Sequence, residues 1–447
     1  MNKSLPLLLR HAMYNLRGGF LIRPLTIALV LGGAGATLSW LEEEFPAVSA
    51  WVPAVIFPSH ADPQVAQVIL AGIAASIMTV VSIVFAILLM TLTLASMQFS
   101  PRIIVSFSRD RVTQWTLGIF LGTFLYCMAA LPTAHSFPHP FEPVATTLGA
   151  IVLALACVGL LLYFIHHISR AISVNHIVNR IAEETEAMID EMMPWPHRPD
   201  RLNDAAPLRP SSSDVAVLSG GSGYIRFIDK RSLVAVAKHY HVSIRVLRRV
   251  GHFVPARIPL MMVSKGNRLP PAATAELLAA FDMGPTRTLQ QDVEFGVLQI
   301  VDVALKAISP AVNDPTTAIT CVDQLSRILI RFASREPPDE LLYDPPGIVR
   351  ASIGWIHFER LLEAAFEQIR MYSKTDVAVS LRLLRALGDI AASTPDLEYR
   401  RILVERGMQV VAGCAEQLGE PELIALRARQ AELEGLSSSQ PQIKTAL

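Results

Sequence analysis

A long uncharged run constrains this chain more than any other feature. No Asp, Glu, Lys or Arg occurs between Gln67 and Arg102. A bilayer core of about 30 Å needs about 20 helical residues, and this run is longer than that. The sequence therefore predicts a helix that crosses a membrane and continues past it.

Small and polar residues recur along this run at helical spacing. The spacing places them on one stripe, opposite a face of large apolar side chains. Such a stripe favours close packing against another helix. The alternative is that it lines a water-filled path, because polar groups that face lipid are costly. The stripe consists of Gly72, Ala75, Thr79, Ser82, Ala86, Thr93, Ser96 and Ser100.

Three further apolar runs, near 24–40, 113–131 and 144–165, bring the predicted spans to four. An A-x-A pattern in the first run resembles a signal-peptide site, but the spans that follow favour a retained helix. Lys and Arg precede span one, separate spans two and three, and follow span four, whereas the other two connections have none. The positive-inside rule therefore predicts that both termini are cytoplasmic.

Basic residues between spans two and three form a candidate interfacial group. They are Arg102, Arg109 and Arg111. The segment 101–112 mixes apolar and basic side chains, which suits a stretch lying along the membrane surface with its arginines near lipid phosphates. The solvated end of span three is an equally good interpretation.

Composition limits the classes of function. The chain is 51% hydrophobic with zero net charge, and the residues beyond 170 have the character of a soluble domain. No cluster of Lys and Arg interleaves with aromatic residues, so we expect no nucleic-acid partner. The four cysteines form no CxxC pair, which argues against a disulfide framework or a cysteine metal site. We expect no cofactor.

The fold class predicted is an α-helical integral membrane protein with a cytoplasmic α+β domain, in which a small β-rich part precedes a helical part. Strand-like runs with a glycine-containing turn suggest a small β-barrel or half-barrel. The SGGSG turn lacks the Lys of a P-loop, so nucleotide binding is disfavoured. The predicted segments are a basic N-terminus at 1–24, four membrane helices at 25–170, a helical connector and linker at 171–213, the β-rich part at 214–285, the helical part at 286–435, and a flexible tail at 436–447.

Polar residues concentrate around a predicted helix pair in the second half. Asp314 is expected to be a helix N-cap, with Pro315 in the first turn. Hard cations take several oxygen ligands, but no EF-hand spacing occurs, so capping and pairing with Arg287 are favoured over a metal site. No catalytic constellation is recognisable, and we expect no enzyme activity. The candidate polar site consists of Arg287, Asp292, Asp302, Asn313, Asp314 and Asp323.

Five motifs carry a family resemblance: TLTLASMQFSPRII, LGIFLGTFLY, SGYIRFID, GHFVPARIPL and DVEFGVLQIVDVALKAISPAVNDPTTAITCVDQL. In this order they resemble the bacterial predicted membrane proteins called domain of unknown function 2254, over most of residues 10–420. The resemblance implies four spans with a cytoplasmic domain, and it brings no accepted activity. We expect the protein to lie in the bacterial inner membrane. GHFVPARIPL is similar to a hairpin of small β-barrel domains, although Arg257 replaces its second glycine.

Two functions are expected from these features. The first is an oligomeric channel or transport protein, in which several copies each contribute the stripe, with a cytoplasmic regulatory domain. The second is a membrane-anchored sensor or scaffold whose cytoplasmic domain binds an unknown ligand or partner. A lipid bilayer and further copies of the chain are the partners expected.

Overall fold

A computed structural model describes most of the chain. The described residues are 22–45, 63–98, 110–133, 143–171, 173–193, 211–264, 269–344 and 347–438. They form two compact units, which divide the chain between Ser173 and Val174. The first unit contains the apolar helices, and the second contains the sheets and the remaining helices.

Four helices of the first unit are long and apolar enough to cross a membrane. This confirms the prediction of four apolar helices from the sequence. A single turn of 3-10 helix, Leu131–Thr133, follows the third of them. The four are α1 at Ile22–Glu44, α2 at Pro63–Gln98, α3 at Arg111–Ala130 and α4 at Val144–Ala171.

Helix α3 is the central member of the first unit. It is 56% buried along its apolar window, whereas the other three are only 17–22% buried. Two glycines permit close approach between α1 and α3: a side chain at Gly35 would overlap Tyr126, and one at Gly122 would overlap Leu31. Small residues at membrane-helix contacts have this effect, because they let the two backbones come together.

A buried carboxylate joins the end of α1 to the beginning of α4. Glu42 is 1% exposed. Its oxygens accept hydrogen bonds from the backbone N–H groups of Ala145 (2.7 Å) and Thr146 (3.0 Å), and from Oγ1 of Thr146. A helix N-terminus has unpaired N–H groups and a partial positive charge, so Glu42 supplies both the acceptors and the charge that α4 needs.

The described residues of the second unit form two sheets and nine helices. The helices are α5 at Val174–Met192, α6 at Lys230–His239, α7 at Pro271–Ala279, α8 at Val293–Ala307, α9 at Pro315–Ala333, α10 at Phe358–Tyr372, α11 at Val377–Ser393, α12 at Leu397–Cys414 and α13 at Glu420–Ser438. The strands are β1 at Val215–Leu218, β2 at Gly223–Ile228, β3 at Ile244–Val246, β4 at Phe253–Val254, β5 at Pro259–Val263, β6 at Phe281–Gly284, β7 at Leu341–Asp344 and β8 at Ile348–Ser352.

Five strands form a mixed sheet in the order β1-β5-β3-β8-β7, and three form an antiparallel sheet in the order β4-β2-β6. Strand β3 pairs with β8 in parallel, and the other pairs of the larger sheet are antiparallel. Neither sheet closes into a barrel within the described residues. A shared core, which includes Ile225, Leu233, Ile244 and Met261, packs between strands and helix α6.

The hairpin β7–β8 lies within residues 286–435, the predicted helical part, which therefore also contains strands. Prolines at 337–338 and 345–346 flank β7 in the sequence. Proline lacks a backbone N–H and disfavours a helical interior. The prolines exclude a helix here, and pairing with β3 completes the larger sheet.

Two non-glycine residues with positive φ explain local sequence choices. Arg257 has φ 64°, so the position where the resembled hairpin has glycine keeps a left-handed backbone despite the substitution. Asn313 has φ 49° in the turn between α8 and α9, and asparagine tolerates this conformation better than most residues. Asp314 then caps α9 by accepting a hydrogen bond from the N–H of Thr317 (3.1 Å), as the sequence predicts.

Helix α5 packs on α8 and α9. Glu186 pairs with Arg327, and Asp190 pairs with both Arg331 and Arg335. The predicted connector therefore contributes a helix to the compact second unit. Residues 194–210 of the predicted linker lie outside the described residues.

Candidate functional site

The small-residue stripe lies on the outer face of the first unit. Every described side chain of the stripe is exposed: Gly72, Ala75, Thr79, Ser82, Ala86 and Thr93. The hydroxyls of Thr79, Ser82 and Thr93 donate to carbonyls one turn earlier in their own helix. The described part of the stripe is therefore not buried against the other described helices of the first unit. The side chain of Ser96, and all of Ser100, lie outside the described residues.

The interfacial arginines are only partly described. Arg111 is exposed at the first position of α3, whereas Arg102 and Arg109 lie outside the described residues. Asp110 caps α3 and contacts Nε2 of His167 on α4 at 3.1 Å. This end of the helix bundle is thus fixed by a polar contact between two spans.

The residues of the predicted polar site have several different local roles. Asp314 caps α9, Asn313 forms the preceding turn, and Asp323 pairs with Arg382 at 3.2 Å. Asp302 lies on α8. No group of three or more His, Cys, Asp or Glu side chains in the described part of the chain is arranged to hold a metal ion. Of the acids in this group, Asp292 is in direct contact with Arg287, at 2.7 Å.

Arg287 and Asp292 belong to a buried group of four charges, the ion-pair cluster, formed with Arg249 and Glu294. Nε and Nη2 of Arg287 donate to the two carboxylate oxygens of Asp292 at 2.7 and 2.8 Å. Arg249 and Arg287 each donate to Oε2 of Glu294 at 3.1 Å. Asp292 also caps α8 through the N–H of Phe295. Paired, planar contacts of this kind are the strong form of a charge-assisted hydrogen bond.

A glycine makes room for the ion-pair cluster. Gly251 has φ +88°, and a side chain there would overlap both the Asp292 carboxylate and the Arg287 guanidinium. Its N–H donates to the carbonyl of Ile225 on β2 (2.8 Å). The GHF segment therefore needs glycine for two reasons, because the backbone is left-handed and the buried charges lie against it.

Two arginines favour the ionised form of Glu294. Burial alone would raise the pKa of Glu294, but Arg249 and Arg287 outweigh burial and hold that pKa below its ordinary value. Burial lowers the pKa of His252, and Arg249 lowers it further. Nδ1 of His252 is buried without a hydrogen-bond partner among the described residues. The cluster thus favours an ionised Glu294 beside a neutral His252.

A cleft of about 500 Å³, including the solvent at its mouth, opens beside the ion-pair cluster. Apolar side chains form much of its wall, including Ile228, Val250, Ile353 and Trp355. Small-molecule sites are concave and mostly apolar, with a few polar groups that fix orientation. The lining of the cleft has this composition, and the cleft is open to solvent.

Lys230 is the unusual polar group of the cleft. It is half-buried at the first position of α6, lines the cleft, and has no ion pair or hydrogen bond within the described residues. Burial lowers its pKa, with no carboxylate acting in the opposite direction. Trp355 is a second incompletely paired group, because its indole Nε1 is buried without a partner in the described part of the chain.

Sequence reasoning identified Asp292 and its partner Arg287 but missed Arg249, Glu294 and Lys230. Arg287, Asp292 and Glu294 lie within eight residues, and two closely spaced acids at a helix start were a usable signal. Arg249 is 45 residues from Glu294, and the β7–β8 hairpin, which lies next to the cleft-lining segment 353–356 in the chain, was not predicted. No local pattern in the sequence brings these segments together.

Comparison with known proteins identifies relatives without an assigned activity. A family profile described as "Predicted membrane protein (DUF2254)" matches residues 17–389. Uncharacterized proteins of Mycobacterium bovis and Mycobacterium tuberculosis are 30% identical over 409 residues, which cover 90% of this chain and 77% of each relative. No solved structure matches the chain.

Proposed function

The chain belongs to the family of predicted membrane proteins called domain of unknown function 2254, and from this premise we propose that it is a membrane-anchored ligand-binding protein. Its four apolar helices supply the anchor. The cleft beside the ion-pair cluster holds a small ligand. The observation that carries this proposal is a half-buried Lys230 in the wall of that cleft, without a partner in the described part of the chain.

The surroundings of the cleft support binding better than a purely structural role. A partly buried charge without a partner lowers stability, and charged groups with shifted pKa values in clefts concentrate at functional sites. The ion-pair cluster next to the cleft is fully paired, so its charges are explained by folding. Lys230 and the indole of Trp355 are not explained in this way, and a bound ligand supplies the interactions that they lack.

A cleft-filling variant tests the proposal. Gly354 lines the cleft, and a side chain built there meets nothing within 4 Å, so Gly354→Trp adds bulk without a clash at its base. Gly220→Trp is the matched control, because Gly220 is also unobstructed and does not line the cleft. A small-molecule library is screened by ligand-observed NMR against the full chain in nanodiscs.

We expect compounds that bind the wild type and the Gly220→Trp variant but are lost from the Gly354→Trp variant. The added indole occupies the volume that the ligand needs, whereas the control changes only a loop outside the cleft. A screen in which every binder is unaffected by Gly354→Trp would refute a ligand site in this cleft.

An oligomeric channel is the second candidate function. It is favoured by the outward position of the stripe, whose described residues are exposed on the first unit. Several copies arranged around one axis would bring Thr79, Ser82 and Thr93 together along a path. Because each hydroxyl already bonds to its own helix, such a path would offer weak selectivity.

Ion flux through proteoliposomes separates this candidate from simple anchoring. We expect a conducting protein to lose flux when Thr79 and Thr93 are replaced by leucine, since larger apolar groups narrow and dry the path. Replacing the outward residues Val152 and Leu155 of α4 with methionine is the control. Absence of flux under every ionic gradient and voltage would leave the four helices as an anchor only.

The proposed location is the bacterial inner membrane, with both termini in the cytoplasm. The support is the distribution of Lys and Arg, which is confined to alternate connections of the four helices. Reporter fusions at residue 55 and at the C-terminus test it. Activity of a periplasmic reporter at the C-terminus would reverse the orientation.

A further inference from the structure

We propose that the ligand of this cleft carries an anionic group, a carboxylate or a phosphate, which Lys230 binds directly while the apolar remainder lies against Val250, Ile353 and Trp355. This inference rests on the proposed function, since it names the class of ligand for the same cleft. It follows from how the charges around the cleft are paired.

The charges at the inner wall of the cleft are already balanced by contacts within the chain. Glu294 is shared by Arg249 and Arg287 at 3.1 Å each, and Arg360 also approaches it at 3.8 Å. Asp292 is occupied by Arg287 at 2.7 Å. Neither acid is therefore available as a counter-charge for a cationic ligand at the inner wall.

Lys230 differs from the four residues of the ion-pair cluster because its charge is not paired within the described part of the chain. It has no ion pair in the described residues, and it is the first residue of a helix, where the helix dipole is unfavourable for a cation. Removal from water without a partner costs free energy, and the direction of its pKa shift agrees with this cost. An anion in contact with the ammonium group would offset both effects.

Asp339 is the other charge in the cleft lining without an ion pair among the described residues. It is exposed, so water solvates it and it needs no partner. Lys230 and Asp339 do not pair with each other. A ligand anion at Lys230 therefore competes with water for a half-buried ammonium, and does not have to displace an existing ion pair.

Four small aromatic probes test the proposal on the full chain in nanodiscs. Benzoate and phenyl phosphate present the two anionic groups, whereas benzamide and benzyl alcohol are neutral compounds of similar size. We expect the anions to bind the wild type more tightly, and Lys230→Met to weaken anion binding about 10- to 100-fold, the effect of one charged hydrogen bond. Lys230→Arg is expected to retain most of the affinity.

The matched control is Arg231→Met. It removes a cation from the next, exposed residue of the same helix and is expected to leave binding unchanged. A second measurement uses protein carrying ¹³C-dimethyl-lysine, in which the Lys230 signal reports the pKa of its amine. Saturation with the tighter of the two anions is expected to raise that pKa, and no change would overturn direct contact.

The outcomes separate this inference from the proposed function. Neutral and anionic probes could bind equally well, with binding unaffected by Lys230→Met but lost in Gly354→Trp. This result would overturn the claim that the ligand is anionic and would still support a ligand site in the cleft. Binding of none of the four probes together with an empty library screen would overturn both. A preference for phenyl phosphate over benzoate would assign the phosphate class, and the reverse preference the carboxylate class.

Discussion

Replacing Asp292 should destabilise the second unit far more than replacing Asp314, although both cap helices in the same way. Each accepts a backbone N–H at 3.1 Å, from Phe295 and from Thr317. Only Asp292 also holds a buried guanidinium, that of Arg287. The two residues therefore form a matched pair that isolates the contribution of the buried ion pair.

The magnitude follows from these contacts. Loss of a helix cap costs about 1 kcal/mol, which is the whole expected effect of Asp314→Ala. Removing one partner of a buried ion pair costs about 3–5 kcal/mol, and the lower value applies to Asp292→Ala because Glu294 still accepts from Arg287. We therefore expect a loss of about 4 kcal/mol for Asp292→Ala.

A buried thiol provides the assay. Cys321 on α9 is 0% exposed, and burial raises its pKa to about 12, so it reacts only when the surrounding structure opens. With the other three cysteines, Cys127, Cys157 and Cys414, replaced by alanine, its labelling rate reports the opening free energy. Asp292→Ala should label more than about 100-fold faster than Asp314→Ala. Rates that agree within about fivefold would refute a stabilising role for the ion pair.

Three further outcomes are expected. Gly251→Ala should destabilise the second unit by about 2 kcal/mol, because the backbone there is left-handed and the new side chain overlaps Asp292. In the Asp292→Ala background the same change should destabilise the unit less. Glu42→Ala should lower the free energy of unfolding of the first unit by about 1–3 kcal/mol, since it leaves buried N–H groups unpaired. Glu43→Ala, a change at the exposed neighbouring residue, should not lower it. His252→Asn should reduce the loss of stability between about pH 6.5 and 5 in urea titrations.

The sign for His252 follows from its lowered pKa. The unfolded ring takes up a proton near pH 6.5, while the folded ring remains neutral to lower pH. Below about pH 6.5 the unfolded state therefore binds more protons, and stability falls as pH falls. Glu294 acts in a lower range, because its contribution is present above an unfolded pKa near 4.5 and is lost as pH falls through its lowered folded pKa.

A different result would contradict each of the predictions for Gly251, Glu42 and His252. Gly251→Ala with the same cost in the wild-type and Asp292→Ala backgrounds would show that the two residues do not interfere. Equal stability of the Glu42→Ala and Glu43→Ala variants would remove the helix-capping role of Glu42. An unchanged acid sensitivity in His252→Asn would mean that the ring is protonated in the folded state.

Features governed by local chemistry were predictable from the sequence. Apolar length identified the four helices of the first unit, and an Asp-Pro pair identified the start of α9 at Asp314. Short apolar runs beside glycine and proline identified β2 and β5. In each of these cases the deciding interactions lie within a few residues of one another, so the sequence contains them directly.

Features that depend on distant segments were not predictable. The capping role of Glu42 has no local signal, because its partner Thr146 is 104 residues away. The β7–β8 hairpin needs β3 for its pairing, and Ala351 meets Ile244 across that ladder. The cleft combines residues 353–356, just after this hairpin, with Lys230, and the stripe required the tertiary structure to show that it faces outward. Position along the chain specifies none of these contacts.

Protection of the cleft from chemical labelling tests the central claim most directly. Val250→Cys places a thiol in the cleft wall, and Ala235→Cys places one on the exposed face of α6 outside it. Both are made in a background that replaces the four native cysteines, Cys127, Cys157, Cys321 and Cys414, with alanine. We predict that phenyl phosphate or benzoate slows maleimide labelling at residue 250 in a saturable manner and leaves residue 235 unaffected. Equal labelling of residue 250 with and without either probe, at every concentration used, would contradict a ligand site in this cleft.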